Sequence, residues 1–371
     1  MKIGIVTLWN TQTNYGGVLQ NYALQKYLSI QGHSPFLVRY KHRSVILLFK
    51  SFIKKILGKK DYVQNKVVEY EQRCFDDFRK DHTSFTKQEF NSVKQLNHNF
   101  PEADVFIAGS DQVWNYNTFD GSGDPYFLDF GHNRKFARIA YAVSFGSIKV
   151  RPKFLKYISP RLKKFDAISC REYEGVDICK MAGIDLDDLK TVCDPTILLT
   201  KDNYNQVVDN HYDVSGNYIM TYFLGWKTDI PKNEIISFAK KYDFQLRYVP
   251  SQGMDYTFFG VTPDYPTIPQ WISLVRGAKH LVTNSFHGTV FAIIYHIPFI
   301  VIPVGRSKER MNSRITTLLK KIGCEERIYK DGNLEENLKK NINWNKVDAC
   351  LQSWRDESSR WLSNAINKVA L

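Results

Sequence analysis

The strongest chemical signal in the chain is a histidine-glycine pair set where a buried strand gives way to an apolar helix, Leu281-Val282-Thr283-Asn284-Ser285-Phe286-His287-Gly288-Thr289. Unpaired N–H groups and the positive end of the helix dipole make such a junction a place for an anion. His287 adds a donor that can carry charge, Ser285 a hydroxyl, and Gly288 lies beside them in the first turn. Without a ligand the same residues read as a serine cap next to a buried histidine, and the local pattern leaves both readings open. Downstream, Gly305-Arg306-Ser307-Lys308-Glu309-Arg310 follows a strand ending at Pro303. In a parallel sheet this loop opens onto the same rim as His287. Arg306 and Arg310 then offer bidentate contact and Lys308 a point charge to a phosphate or carboxylate. The alternative is an exposed basic turn.

Three further loops in the first half end strands in small polar residues. Asn14-Tyr15-Gly16-Gly17 joins the first strand to the first helix, and its paired glycines permit close backbone approach to a ligand. It is not a GxGxxG fingerprint, so a dinucleotide cofactor is not supported. Ala108-Gly109-Ser110-Asp111-Gln112 makes Asp111 a candidate acid/base or sugar-hydroxyl ligand, with a helix N-cap as the other reading. Ile168-Ser169-Cys170-Arg171-Glu172 places Arg171 where it either clamps an anion or pairs with Glu172. Asp194-Pro195 reads as a structural turn or cap. The sequence has no HExxH, Walker A or GxSxG motif and no Cys/His cluster with metal-ligand spacing. No metal and no cofactor is therefore expected.

The elements that must position these residues alternate strand and helix. Strands are expected at Lys2–Leu8, Phe36–Tyr40, Asp104–Ala108, Arg138–Ser144, Ala167–Cys170 and Lys190–Cys193, with the first helix over Tyr15–Ser29. A polar stretch interrupts the rhythm, after which strands recur at Tyr218–Leu224, Gln245–Val249, His280–Thr283 and Phe299–Pro303. Two Rossmann-like α/β domains with parallel sheets follow: residues 1–200, a linker over 201–217, and residues 218–345. A C-terminal helix over 346–371 is expected to pack back on the first domain. Two such sheets are expected to face a central cleft at the carboxyl ends of their strands. The length of 371 residues suits this, at roughly 150 residues per domain.

Charge and compartment narrow the partners. A net charge of +13 favours anionic ligands or surfaces. Six scattered cysteines without a CxxC pair, and no signal-like N-terminus, read as a cytoplasmic chain with reduced thiols. The apolar stretch Thr289–Val304 is broken by prolines and falls short of the about 20 residues that span a bilayer. Residues 45–60, VILLFKSFIKKILGKK, place Leu48, Phe49, Phe52, Ile53, Ile56 and Leu57 near one helical face and lysines on the other. That pattern suits peripheral docking on an anionic membrane surface, and equally a surface helix with its apolar stripe on a core. No RNA- or DNA-binding pattern is present.

Taken in order, YGGVLQNYAL, DVFIAGSDQVWN, AYAVSFG, ISCREYEG, VCDPTILL and NSFHGTVFAIIYHIPFI make the chain resemble the polysaccharide pyruvyl transferase family over about residues 3 to 320. The resemblance implies a GT-B-like fold and transfer of pyruvate from phosphoenolpyruvate to a sugar as a cyclic ketal. It maps the family's donor-site histidine onto His287, its arginine onto Arg171 and its lysine onto Lys308. Many members carry Arg-Leu before the His-Gly pair where this chain has Ser285-Phe286, so Arg310 or Arg306 is the expected substitute. The family's usual Gly-Asp in the first loop is here Gly16-Gly17. The donor site is thus expected at Arg171, Ser285, His287, Gly288, Lys308 and Arg310. The acceptor site is expected at Asn14, Tyr15, Gly16, Gly17 and Asp111, with His287 and Asp111 catalytic. The implied acceptor is a lipid-linked saccharide for a capsule or exopolysaccharide, handled at the inner face of the cytoplasmic membrane. A GT-B glycosyltransferase using a nucleotide sugar and a non-enzymatic protein that binds anionic glycans are the alternatives. Oligomeric state is not legible.

Overall fold

A computed structural model of the chain describes residues 1–41, 72–116, 124–146, 150–225, 229–251, 258–304 and 313–369. These form two units. One comprises Met1–Gln12, Gly17–Leu198 and Glu357–Leu371, the other Thr13–Gly16 and Leu199–Asp356. The basic amphipathic segment 45–60 and the loop with Arg306, Lys308 and Arg310 lie outside the described residues.

In the first unit, β1 (Lys2–Val6), β2 (Ser34–Leu37), β3 (Val105–Ala108), β4 (Ala137–Val143), β5 (Ala167–Cys170) and β6 (Lys190–Thr191) form one parallel sheet in the order β2-β1-β3-β4-β5-β6. The interior strands read as unbroken apolar runs because both sheet faces are covered; VFIA of β3 is buried at every residue. Phe106, Phe130, Trp114, Phe127 and Leu162 build the core beside them. β2 starts two residues earlier than the sequence predicts and includes Pro35. An edge strand tolerates proline, because one side of it needs no ladder partner.

The second unit holds β7 (Tyr218–Phe223), β8 (Gln245–Pro250), β9 (His280–Thr283) and β10 (Phe299–Val301), parallel in the order β10-β9-β7-β8. Ile219, Phe223, Phe238, Val282 and Ile300 form its core. Both sheets share one device. The first strand of each is flanked by the second on one side and the third on the other, so strand order reverses between β1 and β3 and between β7 and β9. Ligands of open α/β sheets bind at the carboxyl ends of strands at such reversals.

Residues 201–217 differ from the expected linker. Thr200 and Asn203 close a capping box on the helix Lys201–Asn205, and the whole stretch falls within the second unit. The polar residues that read as linker are occupied: Asp209 accepts from Ser273 through its carbonyl and from Gln270 through its carboxylate. The C-terminal helix runs Trp344–Lys368, and its residues from Glu357 onward belong to the first unit. There the Trp361 indole donates to Asp188 O at 2.7 Å and Ser358 accepts from Cys193 N.

His280 gives the second unit a testable acid sensitivity. Its ring is edge-on to Phe238 at 5.5 Å and Phe244 at 5.3 Å. Burial first, then the Arg327 charge, lowers its pKa to about 4. Between the unfolded value near 6.5 and that folded value the unfolded chain holds one more proton, so the contribution to stability is lost as pH falls. The expected loss between pH 6.5 and 5 is about 2 kcal/mol. Urea unfolding of wild type and His280→Phe across that range checks it: the variant should lack this part of the slope.

Candidate functional site

In the second unit the site is built on the carboxyl end of β9. Thr283, the last residue of that strand, accepts from Ser285 N at 3.0 Å. Ser285 then caps the helix Phe286–Ile294, its hydroxyl accepting from Gly288 N at 3.2 Å. Asn284 clamps the end of the neighbouring strand, accepting from Leu224 N at 2.6 Å and donating to Leu224 O at 2.8 Å. This ties together the two loops on either side of the β7/β9 reversal. Gly288 has a steric reason: a Cβ there would lie 2.8 Å from Thr283 Oγ1.

His287 sits in the first turn of that helix, buried, with the Phe286 ring edge-on at 5.1 Å. Its other wall comes from far away in sequence. A Cβ placed on Gly16 would fall 2.0 Å from His287 Nδ1 and 2.2 Å from Cγ, so the glycine backbone lies directly against the imidazole. Tyr15 anchors this short segment. It is fully buried, stacks on Trp271 at 5.2 Å, meets Tyr222 edge-on, and donates its hydroxyl to Pro266 O at 2.7 Å. Tyr15 and Gly16, expected at an acceptor, pack beside the histidine. Tyr15, Gly16 and Gly17 lie within the first turn of the helix Tyr15–Ile30, with Asn14 just before it.

Ser285 therefore performs the capping role that the sequence left open, and Gly288 N is committed to it. The cap has a modest expected value: Ser285→Ala should cost about 1 kcal/mol in thermal or urea unfolding.

A second cluster occupies the first unit at the carboxyl ends of β3, β4, β5 and β6. Asp111 follows β3 with φ of 75°, a left-handed backbone that an aspartate adopts only when its surroundings hold it. Its carbonyl accepts from Val113 N and Ser144 N, and its carboxylate from Gln112 N at 2.9 Å. The helix N-cap foreseen as its other role is not formed, because turns and not a helix follow. Opposite, Ala142 also has positive φ and β4 carries a register shift between Ala140 and Val143.

Arg171 binds this loop from beneath. Its side chain is 0% exposed, 2.7 Å from Asp194 and 3.4 Å from Asp111. Burial opposes its charge, but Asp194, Asp111 and Glu172 overcome that and raise its pKa above the usual value. Asp194 is itself held by Ser110 Oγ at 2.8 Å and by the Thr196 N–H and hydroxyl. Glu172 accepts from Ser144 Oγ and Phe145 N. Arg171 is buried between carboxylates, with its closest contact to Asp194 and a longer one to Asp111. Asp194 is a cap, as its Asp-Pro pattern predicts, but also the chief partner of Arg171. Only strand order discloses this, since the two residues follow the adjacent strands β5 and β6.

Among the described residues, no group of three or more His, Cys, Asp or Glu side chains could hold a metal ion, and no helix is long and apolar enough to cross a membrane.

The chain is similar in structure to UDP-N-acetylglucosamine 2-epimerase from Rickettsia bellii, with a TM-score of 0.58 and 11% identity over 100% of this chain and 96% of that one. It is also similar to the UDP-GlcNAc 2-epimerase of Methanocaldococcus jannaschii in complex with UDP-GlcNAc and UDP, with a TM-score of 0.51 and 10% identity over 95% of this chain and 99% of that one. At these identities the likeness speaks to the fold alone, which is α/β and GT-B-like with two Rossmann-type parallel sheets. No curated protein matches the sequence. The sequence model of polysaccharide pyruvyl transferases matches residues 14–306, a span that takes in Asp111, Arg171 and the His287 turn, and on that match the chain belongs to the polysaccharide pyruvyl transferase family.

Proposed function

We propose that the chain transfers the pyruvyl group of phosphoenolpyruvate to two hydroxyls of one sugar in a polysaccharide precursor, forming a cyclic ketal and releasing inorganic phosphate. The observation that carries this reading is the His287 turn: a histidine within the span matched by the family, in the first turn of a buried helix, its ring seated against Gly16. His287 donates to the donor's phosphate at the helix end, where the dipole favours negative charge. Lys308 and Arg310 supply the remaining cations for phosphate and carboxylate. A proton added to the donor's methylene carbon makes C2 oxocarbenium-like. A sugar hydroxyl adds there, the C2–O bond to phosphate breaks, and a second hydroxyl of the same sugar closes the ketal. Asp111 takes up a hydroxyl proton of the acceptor, held in place by Arg171, and Asn14 and Gly17 contribute to the acceptor side. The acceptor is a lipid-linked saccharide, and the net charge of +13 with the basic segment 45–60 brings the chain to an anionic membrane face.

The test incubates the protein with labelled phosphoenolpyruvate and lipid-linked glycans. The product should gain about 70 Da, pyruvic acid added and water lost, with one phosphate released per transfer. Near-normal turnover and donor affinity in His287→Ala would overturn the assignment. Label arriving from a nucleotide sugar would instead identify a glycosyltransferase. Flotation with anionic vesicles tests the membrane arm: binding should fall when Lys54, Lys55, Lys59 and Lys60 are changed to Glu.

A further inference from the structure

The amino ends of β8, β9 and β10 carry a groove of about 460 Å³, at the opposite end of the sheet from His287. Tyr242, Phe244, His280 and Trp344 line it together with Lys339 and Asn341. The rings are fixed by their neighbours. His280 is edge-on to Phe244, and Trp344 stacks on His296 at 4.8 Å, whose Nε2 is 2.9 Å from Asp348. Lys339 donates to the Tyr242 hydroxyl at 3.2 Å and lies over that ring. Lys339, its neighbour Lys340 and Asn341 are exposed, and neither lysine makes an ion pair among the described residues. His280 Nδ1 is buried without a hydrogen-bond partner.

Each feature meets a different part of one kind of ligand. The C–H face of a sugar ring is apolar and weakly positive, and it packs on the electron-rich face of an aromatic ring. Sugar hydroxyls need partners such as the exposed Asn341 amide. Glu335, bonded to Lys241 and the Tyr242 hydroxyl, also feels the charge of Lys339, but this single carboxylate is outnumbered by Lys241, Lys339 and Lys340. The excess positive charge suits an anionic group, and a carboxylate takes charge-assisted bonds from lysines. A purely aliphatic ligand would leave both the lysines and the amide unused. The volume suits a small ligand.

We propose that this groove binds a saccharide residue bearing a carboxylate, as a second glycan site separate from the His287 turn. The inference rests on the reading of this chain as an enzyme acting on polysaccharide, and it extends that reading to recognition of an acidic residue in the glycan. That residue is a pyruvate ketal already installed or a uronic acid. Engagement here raises the local concentration of the remaining chain around the enzyme.

The experiment uses the full chain and three probes: a methyl galactoside carrying a 4,6-linked pyruvate ketal, a methyl glucuronide, and the unmodified methyl galactoside. Affinities are measured by titration calorimetry and by saturation-transfer NMR. At least one acidic probe should bind about tenfold more tightly than the neutral one, and which acid binds identifies the source of the carboxylate. Lys339→Glu combined with Lys340→Glu should remove that preference; the lost bond to Tyr242 and the new charge near Glu335 lower the melting temperature slightly, and retained binding of the neutral galactoside shows that the groove is still formed. Trp344→Ala should weaken all sugars about tenfold, and His287→Ala should leave binding intact. No acidic probe binding, a preference that survives the lysine reversals, or loss of binding in His287→Ala would overturn the groove. Nucleotide binding in place of acidic sugar would also do so. Failed transfer from phosphoenolpyruvate with groove binding intact would remove the proposed reaction and not the groove; intact transfer with no binding would do the reverse.

Discussion

Replacing Gly16 with alanine is expected to abolish most activity while leaving a folded protein. The added methyl would sit 2.0 Å from His287 Nδ1 and 2.2 Å from Cγ, well inside van der Waals contact, so one side must move. The Gly16 backbone cannot yield easily, because Tyr15 next to it is wedged on Trp271 and bonded to Pro266 O. His287 Cβ would also lie 2.6 Å from the methyl, so turning the imidazole alone does not relieve the clash and the first turn of its helix must shift, carrying the ring with it. Overpacking of this kind costs about 1–3 kcal/mol of stability. A displaced donor at a charge-stabilising site costs about 100-fold or more in turnover. The double variant Gly16→Ala/His287→Gly separates the two effects, because His287 Cβ is itself 2.6 Å from the added methyl and has to go with the ring. With both gone the methyl has room, so the stability cost of Gly16→Ala should shrink in that background while transfer stays lost. Stability that falls additively in the double variant would show that Gly16 acts through something other than the histidine.

That prediction depends on a contact the sequence concealed. His287, Ser285 and Gly288 were legible as a group, because a strand, a small polar turn and an apolar helix follow one another within nine residues. Gly16 was legible only as a flexible position, and its natural reading was approach to a ligand. Its partner lies 271 residues away, and nothing in local pattern or charge joins them. The same limit applies to strand order. Alternating apolar runs gave away the two parallel sheets, since buried strands must be apolar and crossover helices must cover them. The reversals between β1 and β3 and between β7 and β9 depend on which strands pair, and periodicity carries no such information. Asp111 was visible as a polar residue after a strand, whereas its left-handed backbone and its tie to Arg171 follow from the β4 irregularity and from β5 and β6 lying side by side. The polar stretch read as a linker shows the same limit. Polarity over 201–217 signals a lack of apolar periodicity, but side-chain caps and bonds to the helix Ile268–Gly277 satisfy that polarity inside a folded unit.

The ion pair beneath Asp111 supports the second large effect. Asp194→Ala removes the partner 2.7 Å from Arg171 and leaves a guanidinium with no exposure to solvent beside the more distant carboxylates of Asp111 and Glu172. Stranding a buried charge in this way costs about 3–5 kcal/mol. The loss of the Ser110 and Thr196 bonds adds to it. In thermal unfolding the first unit should therefore melt about 10 °C lower. Removing both charges together is a different experiment, because a buried pair recovers little more than its own desolvation. Arg171→Met/Asp194→Leu should accordingly regain part of the lost stability and not all of it, because Asp111 and Glu172 are left without their cation. Activity should not return with it. Asp111 keeps its strained backbone only while its surroundings over-determine it, and Arg171 is the cation that fixes its carboxylate. If Arg171 positions Asp111, the repacked variant folds well but turns over about tenfold or more slowly, with donor affinity near wild type. A repacked protein with full turnover would reduce Arg171 to a structural element. A selective loss of donor affinity would return it to the donor site that its sequence motif implies, so the split between donor binding and turnover decides between the two roles.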